Sequence, residues 1–241
     1  MTGPLVRRSP AHQGRVVAAT SLTARMRRVT VQAETMRGVA IRPAQDVELL
    51  LREPGGRRVK RRYTIRHSRP DAGELDLDFV LHGAGPGAYW GASAAAGDEV
   101  EFQGPRGKLE LRPAPAHLLV GDESALPAIA AICAALPPDE PAHTVLEITD
   151  ESDELPVGRP TTWVHRRSQP PGGVDLLLHG LAERAVDPTA RAYLLGETRA
   201  MVALRAHLES RGVAHEAIFV KGYWNLGRPD RLAGRAPQSP S

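Results

Sequence analysis

The chain has 241 residues, 31 Lys and Arg against 28 Asp and Glu, a formal net charge of +3 and 41% hydrophobic residues. That is ordinary globular usage on a chain long enough to bury a core, which excludes a disordered or fibrous protein. The single cysteine, Cys133, cannot close an internal disulfide or supply the thiolates of an iron–sulfur cluster or structural zinc site, and the nine histidines show no HxxxH, HExxH or Cys/His spacing. Metal ligation by the chain itself is therefore disfavoured, and redox chemistry here calls for a bound organic cofactor.

The opening MTGPLVRRSPAHQGRVV has two arginines with no apolar stretch behind them, and no apolar run reaches the roughly 18 residues of a membrane span. A soluble, cytoplasmic protein is expected. From Gly14 to about Leu111 the pattern is strand and turn. GRVVAAT, RRVTVQAE, DVELLLRE, RRYTIRH, ELDLDFVLH and DEVEFQG are each bounded by Gly, Pro or polar clusters. Six such strands without a long helix between them predict an antiparallel barrel. In ELDLDFVLH the alternation places Leu75, Leu77, Phe79 and Leu81 toward the core, and Asp76, Asp78 and His82 toward solvent or a ligand. Arg57, Arg58, Lys60, Arg61, Arg62, Arg66 and Arg69 crowd one short stretch. They read either as a solvated face or as an anion site for phosphate, nucleic acid or an acidic ligand.

Beyond the Pro-rich joint at Arg112–Pro115 the pattern becomes buried strands alternating with helices. HLLVG leads to a helix through Ile129, Ile132, Cys133 and Leu136. TVLEITD, TTWVH, VDLLLH and AYLLG follow as strands, then a helix through Met201, Leu204 and Leu208. Such alternation predicts a parallel sheet covered on both faces. The expected organisation is a barrel domain over residues 1–112, an α/β domain over 113–228, and a poorly ordered tail over 229–241.

Three stretches carry chemistry. Arg61-Arg62-Tyr63-Thr64-Ile65-Arg66 sets cations, a flat ring and a hydroxyl on one strand. It suits a ligand with a phosphate, a planar conjugated ring and a ring nitrogen, as in a flavin nucleotide. It equally suits a half-buried strand with a core tyrosine and solvated arginines. In His82-Gly83-Ala84-Gly85-Pro86-Gly87-Ala88-Tyr89-Trp90 a glycine-rich turn opens into the helix-like Gly91–Ala96. Such a turn offers backbone N–H groups to a pyrophosphate, and its GxGxxA spacing alone is a weak signal. Val120-Gly121-Asp122-Glu123-Ser124-Ala125-Leu126-Pro127 joins a buried strand to a helix. It is either a plain packing turn or the place at the carboxyl edge of a parallel sheet where nucleotides bind.

The ordered set RxYTxR, DFVLHG with GPxxxW, GDEVEFQGPRG, LLVGDESALPAIAAI, LLGE and GYW resembles the siderophore-interacting proteins, flavin-dependent ferric-siderophore reductases of the ferredoxin-reductase-like class. The resemblance runs from about Gly14 to Arg228. It implies an N-terminal FAD-binding barrel, a C-terminal NADPH- or NADH-binding domain, a ferric siderophore as substrate and, as an alternative electron donor, a ferredoxin. It further implies that Arg61 meets the flavin phosphate side, Tyr63 packs on the ring and Thr64 sits near its N5, with Tyr63 and Thr64 as the catalytic pair. Ile65, Phe79, Val80, His82, Gly85, Pro86, Gly87 and Ala88 would hold the rest of the FAD, and Trp90 would begin the helix closing the site. Gly121, Asp122, Ser124, Ala125 and Pro127 would border the nicotinamide cleft, Gly196 and Glu197 its far side, and Tyr223 and Trp224 the flavin. Arg106, Lys221 and Arg228 are the basic residues expected around the substrate.

The chain departs from the pattern of the family it resembles at Ala88 and Tyr89, where many members carry serine and arginine, at Asn225 after the tryptophan, where an arginine is usual, and at Glu48, where some carry lysine. Asp150 or Glu151 would favour NADH, Arg166 and Arg167 NADPH. Rival readings are a general flavin or quinone reductase on the same scaffold and a non-catalytic FAD-binding protein. A single-strand nucleic-acid module is disfavoured by the 4% aromatic content.

Overall fold

The computed structural model describes residues 11–53, 56–81, 85–182 and 186–227. Six strands, β1 (Ala11–Ser21), β2 (Met26–Gln32), β3 (Asp46–Arg52), β4 (Arg58–Arg69), β5 (Glu74–Val80) and β6 (Glu99–Arg106), close into a barrel in the order β1-β2-β5-β4-β3-β6. All neighbours are antiparallel, and β6 returns to β1 to close the ring. Inward residues Val29, Val31, Val47, Leu49, Leu77, Phe79 and Phe102 form its core, as the period-two pattern predicts.

The outer face of β5 corrects one expectation. Asp76 and Asp78 are buried under arginines instead of facing solvent or a ligand. Arg28 Nε reaches Asp78 at 2.7 Å, Arg69 Nη2 reaches Asp76 at 2.7 Å, and the Thr30 hydroxyl donates to Asp76 at 2.8 Å. The register explains this, because Arg28 lies opposite Asp78 and Thr30 opposite Asp76.

Between β5 and β6 lies α1 (Pro86–Ser93), which begins and ends earlier than the Gly91–Ala96 expectation. Proline in the first turn sets the helical φ where an N–H would have no partner. At the other end Arg27 caps the carbonyls of Gly91 and Ala92 at 3.0 and 2.5 Å, and the Asp98 carboxylate accepts from Ala95 N, turning the chain into β6.

The second half contains β7 (His117–Asp122), α2 (Leu126–Ala135), β8 (Ala142–Ile148), β9 (Thr161–His165), α3 (Val174–Ala182), β10 (Arg191–Glu197), α4 (Thr198–Ser210) and β11 (Ile218–Trp224). Its five strands form a parallel sheet in the order β11-β10-β7-β8-β9. VDLLLH, expected as a strand, is the start of α3. A short apolar run fits either period, and here Val174, Leu177, Leu178 and Leu181 follow the helical one, with Leu177 and Leu181 buried. The strand β11 was not expected: its Lys221 and Gly222 interrupt the apolar run that marks a buried strand.

Helix α2 packs between the two halves. Its Ile129, Ile132 and Cys133 join Met26, Ala44 and Leu109 on the barrel side and Leu119, Leu146 and Tyr193 on the sheet side in one core. Polar ties cross the same boundary, with Arg25 Nη1 on Asp153 at 2.9 Å, the Thr23 hydroxyl on Asp153 at 3.0 Å and Lys221 Nζ on Asp46 at 2.8 Å. Among the described residues no helix is long and apolar enough to cross a membrane. The expected tail at 229–241 lies outside the described residues.

Candidate functional site

The barrel contributes the first half of the site from β4, β5 and α1. Tyr63 on β4 packs on Phe79 of β5 with ring centroids 4.0 Å apart, and Trp90 of α1 covers Phe79 at 5.2 Å. Helix α1 can approach this stack because it shows glycine to it twice, one turn apart. A Cβ on Gly87 would lie 1.8 Å from the Tyr63 hydroxyl oxygen, and one on Gly91 would lie 2.6 Å from Phe79. The first turn of α1 has no side-chain cap, so the N–H groups of Gly87 and Ala88 lack intrahelical partners and point out of the helix end. Burial pushes the Tyr63 phenol well above its ordinary pKa, so its hydroxyl stays neutral. Arg61 is half-buried and donates to the Lys60 carbonyl at 2.9 Å.

Next to Tyr63, the buried Thr64 shares a hydrogen bond of 3.2 Å with the Tyr223 hydroxyl of β11. Lys221 sits 5.0 Å from the Tyr223 ring centroid while bonding Asp46. Burial works against the Lys221 ammonium, but Tyr223 and Asp46 outweigh it and raise its pKa. Burial also raises the Tyr223 phenol, opposed by Lys221 and Thr64.

The sheet contributes the second half. The chain leaves β7 toward β8 and β9, then crosses back to β10 and β11, so the strand order reverses between β7 and β10. Ligands of open α/β sheets bind in the crevice at such a reversal, beyond the carboxyl ends of the strands. At that reversal stand Asp122, at the end of β7, and Glu197, at the end of β10, both buried. Asp122 Oδ2 accepts from Glu197 N and from Trp224 Nε1, both at 2.9 Å, and Oδ1 accepts from Ser124 N at 2.9 Å and from its hydroxyl at 2.5 Å. Glu197 accepts from Ala200 N at 2.8 Å and Leu226 N at 3.0 Å. Gly196 has φ +154, and a Cβ there would fall 2.6 Å from Asp122 Oδ2, so the close approach of β10 to Asp122 requires glycine. Beside them Glu147 at the end of β8 is buried, with Oε1 lacking a hydrogen-bond partner. Burial, reinforced by the charges of Asp122 and Glu123, pushes its carboxyl up to about 7.

The expected residues thus fall into two groups joined by β11. Tyr63, Thr64, Gly85, Pro86, Gly87, Ala88 and Trp90 gather around α1 and β4. Gly121, Asp122, Ser124, Ala125, Pro127, Gly196, Glu197 and Trp224 gather at the crevice, and Tyr223 and Lys221 stand between. Ile65 and Phe79 direct their side chains into the barrel core, and Val80 lines a cavity of about 30 Å³ with Glu123 and Arg166 at the boundary of the two halves. Trp90 is in the middle of α1, not at its start. His82 and Arg228 lie outside the described residues. Arg166 is nearly buried and clasps Glu123 with both terminal nitrogens at 2.7 and 2.6 Å, which commits it to the protein; Arg167 pairs with Glu151, and Asp150 with Arg25. Asp46, Glu123 and Glu147 were missed. The available signals were the lone acid inside the apolar TVLEI and the register that sets Asp46 opposite Thr64. Among the described residues no cluster of His, Cys, Asp or Glu is placed to hold a metal ion.

The family model "Siderophore-interacting FAD-binding domain" matches residues 51–109 and "Siderophore-interacting protein" residues 114–227. The ferric vibriobactin reductase ViuB of Vibrio cholerae is 32% identical over 185 residues, 73% of this chain and 68% of that one. An uncharacterized protein of Mycobacterium tuberculosis, Rv2895c, is 36% identical over 196 residues, 71% of this chain and 67% of that one. A siderophore utilization protein from T. fusca superposes with a TM-score of 0.85 at 30% identity, covering 93% of this chain and 96% of the other. The ferredoxin reductase of carbazole 1,9a-dioxygenase shares the fold, with a TM-score of 0.73 at 19% identity over 91% of this chain and 70% of that one.

Proposed function

The chain belongs to the siderophore-interacting protein family, and we propose that it is an NAD(P)H-dependent FAD flavoprotein that reduces ferric siderophores and so releases ferrous iron. The observation that carries this reading is the junction at β11. One short strand ties Tyr223 to Thr64 beside the Tyr63 stack and Trp224 to Asp122 at the strand-order reversal, a junction that suits a flavin held next to a nicotinamide.

The residues present fit FAD. The first turn of α1 offers N–H groups without intrahelical partners for a pyrophosphate, Gly87 lets that turn lie against the Tyr63 hydroxyl, and Tyr63 and Thr64 offer a ring face and a hydroxyl to the isoalloxazine. Bound FAD supplies the conversion of a two-electron hydride donor into single electrons for ferric ion. The chain's own residues bind and orient. Tyr63 provides a ring face, and Thr64 a hydroxyl whose direction Tyr223 restrains. The Asp122 bonds to Glu197, Ser124 and Trp224 fix the crevice walls for the nicotinamide. No protein nucleophile is required. With Arg166 committed to Glu123, the residue left to meet a 2'-phosphate after β9 is Arg167, which would have to leave Glu151 to do so.

The test is anaerobic turnover with NADH or NADPH, a ferric siderophore and a ferrous-specific chromogenic chelator, using free flavin as the competing acceptor. Coloured ferrous complex formed faster than free flavin is reduced supports the proposal. Turnover of free flavin alone would instead assign a general flavin reductase.

A further inference from the structure

The outer face of β3 and β4 next to Thr64 carries a charge cluster that hydride transfer does not use. Asp46 and Glu48, two residues apart, share one face of β3, opposite Thr64 and Arg62 of β4, and β6 brings up Gln103 and Arg106. The Glu48 carboxylate meets Lys60 Nζ at 2.9 Å, Arg106 Nη1 at 3.3 Å and Arg62 Nε at 3.8 Å. Lys60 and Arg106 also donate to Gln103 Oε1, at 3.3 and 3.0 Å. Further along the same face, Lys221 bonds Asp46 at 2.8 Å. Both carboxylate side chains are 5% exposed, whereas Lys60 and Arg62 are 41% exposed, Arg106 31% and Lys221 25%. The cluster is therefore a cationic rim over an anionic floor, continuous with the Tyr223–Thr64 pair. Burial works against the Glu48 charge, but Lys60, Arg106 and Arg62 outweigh it and hold the carboxyl below its ordinary range.

On the ferric-siderophore reading, on which this inference rests, we propose that Glu48 is a specificity-determining residue that weakens this rim's preference for ferric chelates of high negative charge. Three singly charged hydroxamates leave a ferric chelate neutral, whereas three doubly charged catecholates leave it with three negative charges. Glu48 acts against the second kind in two ways. It subtracts a charge from the rim, and it engages Lys60 and one terminal nitrogen of Arg106, whose other terminal nitrogen Gln103 takes, so that both cations spend donors inside the protein. For a triply charged ligand about 10 Å from the carboxylate, the repulsion lowers affinity about fivefold at 0.01 M salt and about twofold at 0.15 M. A neutral chelate feels neither.

Redox-inert gallium(III) chelates of a trihydroxamate and a tricatecholate test this by titration against the FAD-loaded protein, followed by tryptophan fluorescence. Glu48→Gln is expected to strengthen tricatecholate binding about fivefold at 0.01 M salt, less at 0.15 M, and to leave the trihydroxamate unchanged. Glu48→Thr removes the same charge and decides the matter if Glu48→Gln does not fold, while Arg62→Gln, which removes a cation from the same rim, moves tricatecholate affinity the other way. Unchanged tricatecholate affinity in Glu48→Gln, or equal changes for both chelates, overturns the role of Glu48 and leaves the reductase reading intact. Failure of wild type to bind either chelate overturns both.

Discussion

Glutamine in place of Glu147 is predicted to stabilise the protein at alkaline pH and to leave it nearly unchanged in acid. The carboxyl is buried between Asp122 and Glu123, with Arg166 Nη1 3.7 Å away, and is pushed from its ordinary 4.5 up to about 7. A raised carboxyl pKa means that the folded state binds the proton more tightly than the unfolded chain. Between about pH 4.5 and 7 the folded protein therefore carries the extra proton, and stability falls as pH rises through that window. At 1.36 kcal/mol per pKa unit, the cost of holding the charge inside reaches roughly 3 kcal/mol above pH 7. The glutamine amide is neutral throughout and keeps an acceptor for the backbone of Gly172, so the variant avoids that cost. Urea unfolding of wild type and Glu147→Gln at pH 5 and pH 8.5 measures it. The variant's advantage is expected to be under about 1 kcal/mol at pH 5 and about 3 kcal/mol at pH 8.5, the latter a rise in Tm of about 6–12 °C for a chain of this size. An advantage of equal size at both pH values would refute a carboxyl held neutral by burial.

Gly87→Ala forces a Cβ onto the Tyr63 hydroxyl, so FAD affinity measured by flavin fluorescence is expected to fall at least tenfold while far-ultraviolet circular dichroism stays unchanged; unaltered affinity would remove α1 from the cradle. Thr64→Val deletes one hydrogen-bonding group, worth about 1 kcal/mol or about fivefold in FAD Kd, and an unchanged Kd would mean that Thr64 does not touch the cofactor. The Cys133 thiol, buried in α2 and raised to about 11, is expected to resist a thiol-specific chromogenic reagent in the native protein and to react stoichiometrically after unfolding. Prompt labelling at neutral pH would show that the core between barrel and sheet opens.

Most of the fold was legible because both halves repeat strong local patterns. ELDLDFV and DVELLLR alternate cleanly, and their registers follow once the inward leucines are set. LLVGDESALPAIAAI marks a buried strand, its turn and a helix in consecutive residues. VDLLLH misled because a short apolar run satisfies both periods, and only packing against the sheet selects the helix. IFVKGYW was missed as a strand because Lys221 and Gly222 break its apolar run, and both residues answer to neighbours distant in sequence, Lys221 crossing to Asp46 and Gly222 sitting against Thr198. The candidate residues were legible as types at motif positions. Their electrostatics were not, because the commitment of Arg166 to Glu123, the cover over Asp76 and Asp78, and the near-neutral Glu147 depend on neighbours distant in sequence.

The most direct test of the central claim is the visible spectrum of the protein after incubation with FAD and removal of the excess, recorded anaerobically, then with NADH or NADPH, then with a ferric siderophore. The account predicts a bound flavin spectrum that bleaches with one of the nicotinamides and returns as the ferric chelate is added. A protein that stays colourless after incubation with FAD would contradict it.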